Sequence, residues 1–175
     1  MRRRRYADLS FAGEIVRSEY TETGPMKASE VLVVACTVGE IETKPAYSSA
    51  TLHCSPSSSE SFPDDPSGTL VGTPTGLYRV ETFDGDVSRL AEKHRLLSAK
   101  PTKEKREWAG SEEGFGETMS VAPHADGWCA SHAQWGGDES GWTLCFHPDK
   151  GVVGGASFWS GGMSQDMFFG DVPGR

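Results

Sequence analysis

Apolar and polar residues exchange places at every second position along much of this chain, which is the period of a half-buried β-strand. Residues 76–85 (GLYRVETFDG) alternate cleanly, with Leu77, Arg79, Glu81 and Phe83 on one side and Tyr78, Val80 and Thr82 on the other. Residues 30–42 (EVLVVACTVGEIE) hold a β-branched apolar centre at 31–34 and predict a strand in the middle of a sheet. Further strands are expected over 6–20 (with a break near Gly13), 117–122, 152–159 and 165–169. The aromatic-rich runs 128–135 (WCASHAQW) and 141–147 (GWTLCFH) flank a Gly/Asp/Ser cluster and predict a hairpin. One stretch changes period. Over 86–99 (DVSRLAEKHRLLSA), Val87, Leu90, Ala91, His94 and Leu97 recur at helical spacing behind Asp86 as N-cap, and Pro101 ends the pattern. The fold expected is mainly β, a single-domain antiparallel β-barrel or sandwich with one short α-helix at about 86–99.

Composition changes this picture in two places. Residues 44–68 contain four prolines and eight serines, too few apolar groups to offset their ordering entropy, and are expected to be a surface loop. Residues 1–5 carry Arg2, Arg3, Arg4 and Arg5 and predict a solvated basic tail ahead of a domain spanning 6–175. The formal net charge of −8 is unevenly spread, with two basic against nine acidic residues over 108–175. That balance argues against general nucleic-acid binding, which needs a continuous basic surface. No apolar run approaches a membrane span, and residues 1–13 lack the apolar core of a secretory signal. A soluble protein without membrane partners is therefore expected. The four cysteines, Cys36, Cys54, Cys129 and Cys145, are too few and too dispersed for a disulfide-stapled scaffold, so reduced thiols and a cytoplasmic location are expected.

Candidate chemistry concentrates in 123–159. If Trp135 lies opposite Trp142, then His132 faces Cys145, and His132, Cys145 and His147 share one face of the hairpin. Trp142, Leu144 and Phe146 then share the other face with Cys129 and Trp135. Nitrogen and sulfur donors gathered this way suit zinc or iron. A different register would instead join Cys129 to Cys145 in a disulfide, and as a third alternative the cysteines and histidines are ordinary core and surface residues. His124-Ala125-Asp126 has the H-x-D spacing of a facial iron site, although the same Pro-His-Ala-Asp-Gly segment suits a turn.

Residues 72–80 (GTPTGLYRV) resemble the TPTG-x-[FY]-x-[VI] segment of L,D-transpeptidases. The resemblance implies a β-rich cell-wall cross-linking fold with a cysteine nucleophile. It covers nine residues. The histidine and Ser-His-Gly-Cys block of that family has no counterpart, because Ala156-Ser157-Phe158-Trp159 stands where it is sought, and no catalytic residue is carried over.

Four functions follow as expectations. The leading one is a β-rich binding protein whose Trp128, Trp135, Trp142 and Trp159 line a surface or pocket for a small molecule, a glycan or a protein partner. The others are a metal-dependent enzyme built on His132, Cys145 and His147, an L,D-transpeptidase-like protein, and a structural or assembly component using its basic tail and acidic half.

Overall fold

A computed structural model describes residues 9–174, so the basic tail lies outside the described residues. The alternation seen in the sequence becomes a single antiparallel sheet of 13 strands. In chain order these are β1 (Leu9–Thr21), β2 (Gly24–Val38), the two-residue β3 (Glu42–Thr43), β4 (Ser48–Pro56), β5 (Gly68–Thr73) and β6 (Gly76–Val80). There follow β7 (Arg95–Ser98), β8 (Glu104–Ala109), β9 (Gly116–His124), β10 (Gly127–Trp135), β11 (Glu139–His147), β12 (Gly151–Ser160) and β13 (Met163–Gly170). The sheet order is β7-β6-β5-β4-β2-β1-β13-β12-β11-β10-β9-β8, with β3 beside β4. β1 ties the two ends of the chain together by pairing with both β2 and β13. No helix of the described residues is long and apolar enough to cross a membrane.

The expectation of a mainly β fold is met, as a sheet that curls into an open barrel. Alternate side chains point inward and form one apolar cluster, including Ile15, Val34, Leu52, Leu96, Met119, Leu144, Met167 and Phe169. Burying each such side chain is worth about 1.5–3 kcal/mol. β2 shows the rule at its sharpest. Leu32, Val34 and Cys36 are buried, while Val31 is 83% exposed and Val33 49% exposed on the outer face.

Two expectations need correction. Residues 86–99 form no α-helix. Asp86 caps only the 3-10 turn Val87–Arg89, through its carboxylate on the Ser88 N–H at 3.0 Å; a second such turn spans Glu92–His94, and the chain then extends as β7. Leu96 and Leu97 are buried as neighbours in that strand, a pattern that a helical reading of Leu97 mimics. The Ser/Pro-rich segment is not all loop either. Its run Ser48–Pro56 is β4, with Leu52 and Cys54 buried between exposed Thr51, His53 and Ser55. Close approach explains the turn into β6, since a Cβ on Gly76 would collide with the Leu97 carbonyl oxygen of β7.

β7 and β8 follow one another in sequence but share no ladder, and the gap between them is the seam of the barrel. Charged side chains close it. Arg106 of β8 donates to the Glu92 carbonyl at 2.8 Å and to the Arg95 carbonyl at 2.6 Å, and Arg95 pairs with Glu92 and Glu104. The Arg106 side chain is only 13% exposed. Arg106→Ala removes a buried guanidinium that donates to two carbonyls and pairs with Glu92 and Glu104, and is expected to lower stability by about 1–3 kcal/mol in urea unfolding. An Arg106→Ala melt that overlays the parent would show that the seam is closed by something else.

Candidate functional site

Residues 57–67, between β4 and β5, leave Ser57, Ser58, Ser59, Ser61 and Asp65 exposed but lay Phe62, Asp64 and Pro66 against the concave face of the sheet as a strap. Glu60 pairs with Arg17 of β1 at 2.5 Å, and Phe62 packs on Phe169 of β13 with ring centroids 5.8 Å apart. The Asp64 N–H donates to the Ser157 hydroxyl of β12 at 2.8 Å, and that hydroxyl donates back to the Asp64 carbonyl at 2.7 Å. At the end of the strap, Arg79 of β6 donates from Nε to the Pro66 carbonyl at 3.0 Å and from Nη2 to the carbonyls of Asp65 and Ser67. Its guanidinium lies 4.6 Å over the ring of Trp142, and His132 stacks with that indole at a centroid distance of 5.4 Å.

Between the strap and β4–β6, the two 3-10 turns and β9–β11 lies a cavity of about 920 Å³. Its charged and polar lining includes Asp64, Arg79, Lys93, His94, Glu117 and His132. Glu117 forms an ion pair with Lys93 at 3.6 Å and meets His132 Nε2 at 3.4 Å. The carboxylate can only accept, so Nε2 carries a proton in this contact. His132 Nδ1, His94 Nδ1 and Asp64 Oδ2 are all buried without a hydrogen-bond partner. Burial pushes the Asp64 carboxyl above the ordinary carboxylate range, against the pull of His132 and Arg79. Burial also lowers the Arg79 guanidinium and, helped by Lys93, the His94 imidazole. Such a site can orient a small polar molecule and hold or accept a proton at two imidazoles and one carboxyl.

The hairpin carrying the predicted site residues forms, with a register three positions away from that expected. Cys129 pairs with Cys145 and His132 with Trp142. Cys129 and Cys145 are joined in a disulfide on the outer face, packed with Val172, Val153 and Phe168, whereas His132 points into the cavity. The expected set of His132, Cys145 and His147 is therefore corrected: its sulfur is bonded to sulfur, and its first imidazole lies on the opposite side of the sheet. His147 Nδ1 accepts the Asp149 N–H at 3.1 Å in a local turn. His124 and Asp126 flank the β9–β10 turn, where His124 meets Asp171 at 2.8 Å and Asp126 is exposed. No group of three or more His, Cys, Asp or Glu side chains among the described residues is placed to hold a metal such as zinc or iron.

Reduced thiols are corrected as well. Cys36–Cys54 and Cys129–Cys145 are both disulfides, and no cysteine is free. The four tryptophans do not converge. Trp128 packs on the core, Trp135 is 37% exposed, Trp159 lines a separate groove with Met26 and Met163, and only Trp142 reaches the cavity. Arg79 and His132 both lie against the Trp142 indole, so the cavity presents polar atoms rather than an open aromatic face.

Fold and cavity together define a class, an open antiparallel barrel with a strap-divided, charged interior. No family model, curated protein or solved structure matches the chain. The residues that the hairpin-centred reading missed are Asp64, Arg79, Lys93 and Glu117. One signal was present for Arg79, a charge set between Leu77 and Phe83 on the apolar-bearing side of a cleanly alternating strand.

The raised Asp64 carboxyl has a measurable consequence. Its protonated form favours folding below the unfolded pKa of about 3.9, and that contribution is lost as pH rises through the higher folded value. Asp64→Asn should therefore gain stability relative to the parent across that interval and keep the gain to neutral pH. Urea melts at a series of pH values measure this, and a parent–variant difference that does not vary with pH would count against it.

Proposed function

We propose that this protein is a small-molecule binding protein whose ligand enters the interior cavity between the strap and β9–β11. The observation that carries the reading is the cavity itself, about 920 Å³ in volume and lined by side chains whose hydrogen-bonding capacity the protein leaves unused. Ligand sites commonly occupy about 300–1,000 Å³ and place a few converging polar groups on a preformed wall. Leaving buried polar atoms without partners costs stability, about 1–3 kcal/mol for each. Those atoms are themselves sealed, but the charged and polar side chains that line the space around them favour a polar ligand over an apolar one.

Gln134 lines the mouth of the cavity and is exposed, so Gln134→Trp fills space there while leaving the core packing untouched. Polar fragments that raise the melting temperature of the parent are expected to bind this variant at least about tenfold more weakly, a loss of about 1.4 kcal/mol. Fragments that stabilise both proteins equally, or no stabilising fragment at all, would remove support for an interior site.

The two disulfides also favour an oxidising compartment as the working environment of the protein. Material recovered from such a compartment should show no reactive thiol when denatured without reductant, and four after reduction, matching the four cysteines of the chain. Thiols titrating before reduction would place the protein in a reducing environment instead.

A further inference from the structure

The cavity holds one cation and one anion that are close enough to influence each other and yet do not pair. Every hydrogen-bond partner of Arg79 among the described residues is a main-chain carbonyl of the strap, reached through Nε and Nη2. Nη1 takes no part in these bonds and is not among the atoms sealed from the cavity. Asp64 holds the strap through its main chain alone, and its carboxylate makes no hydrogen bond. Its Oδ2 is sealed from the cavity, whereas Oδ1, like Arg79 Nη1, takes no hydrogen bond and is not among the sealed atoms.

The surrounding charges matter because they bear on any ligand that enters. Lys93 is paired with Glu117, and Arg89 with Asp84 and Asp86. Asp65 and Glu81 add negative charge near Arg79, and the two imidazoles of His94 and His132 stand on the same wall. A purely anionic ligand satisfies Arg79 but meets Asp64, Asp65 and Glu81. A purely cationic ligand satisfies Asp64 but meets Arg79. Only a molecule carrying both signs supplies each of these groups with its complement, through charge-assisted hydrogen bonds.

Resting on the binding function proposed above, we infer that the ligand is a small zwitterion. Its carboxylate or phosphate meets Arg79 Nη1, and its ammonium meets the Asp64 carboxylate. The contacts assign roles without chemistry. Arg79 anchors the oxyanion while continuing to hold the strap, and Asp64 receives the cation.

Four probes separate the charges: L-phenylalanine (carboxylate and ammonium), O-phosphoethanolamine (phosphate and ammonium), 3-phenylpropionate (anion alone) and 2-phenylethylamine (cation alone). Titration calorimetry on the full chain is expected to show at least one zwitterion binding roughly tenfold or more tighter than either singly charged probe. The better of the two zwitterions identifies the oxyanion as carboxylate or phosphate. Arg79→Gln should reduce that zwitterion to the affinity of the cation alone. Because Arg79 also secures the strap, Asp64→Asn provides the second arm. It preserves the main-chain bonds to Ser157 and should reduce the zwitterion to the affinity of the anion alone. Equal binding of a singly charged probe, unaltered zwitterion binding in Asp64→Asn, or no binding by any of the four would overturn the inference. If neutral polar fragments still bind the parent and are lost in Gln134→Trp, the interior binding site stands and only the charge assignment fails.

Discussion

A peptide segment laid against the concave face of a curled sheet brings its own N–H and C=O groups to a place where no ladder awaits them. Arg79 resolves this for the end of the strap, since one planar guanidinium meets the carbonyls of Asp65, Pro66 and Ser67 from two of its three nitrogens. A lysine at this position has no such fork and could not span the three. The indole of Trp142 supports the guanidinium from below, and Ser157 fixes the middle of the strap from the far wall. The position of the strap then sets where the interior is filled and where it is left open. The cavity is the space that remains on the Arg79 side.

That arrangement explains why the interior is charged at all. The inner face of the sheet is apolar around Ile15, Leu144 and Met167, where strands pack on one another and on Phe62. It turns polar where the strap and the two 3-10 turns hold the walls apart. Buried groups left without partners are rare in proteins and require a reason. Here three of them, Asp64 Oδ2, His94 Nδ1 and His132 Nδ1, belong to residues lining one space. The other three, on Arg95, Glu104 and Arg106, belong to the seam. Among the described residues, the buried side-chain atoms without partners thus fall in two places, the cavity and the seam.

The fold was largely legible because strand period is a short-range property. GLYRVETF announces its two faces within a few residues, whereas the TLHC run of β4 alternates just as regularly but was hidden by the serines and prolines around it. The missed helix shows the limit of such patterns. Val87, Leu90, His94 and Leu97 match a helical stripe, but each of the first two lies in or beside a 3-10 turn and Leu97 in a strand, and only contact with β6 decides between the alternatives. The hairpin failed differently. Matching Trp135 to Trp142 maximised aromatic pairing, whereas the molecule pairs the two cysteines, and the shift of three positions turned His132 away from Cys145. Cross-strand cysteines were the better anchor, being able to fix a register covalently. The cavity was least legible, because Asp64, Arg79 and Glu117 are distant in sequence and meet only through a loop whose inward course no local pattern records.

Both covalent links join residues directly opposite one another on neighbouring strands, Cys36 with Cys54 and Cys129 with Cys145, across 18 and 16 positions of chain. Each withdraws about 3 kcal/mol of loop-closure entropy from the unfolded chain, yet neither spans the gap between β7 and β8. The circumference is therefore riveted rung by rung while its final join is left to arginines and glutamates, whose attraction weakens as ions accumulate around them. Added salt is thus felt first along this one line of the wall, while the rungs that carry sulfur–sulfur bonds stay joined.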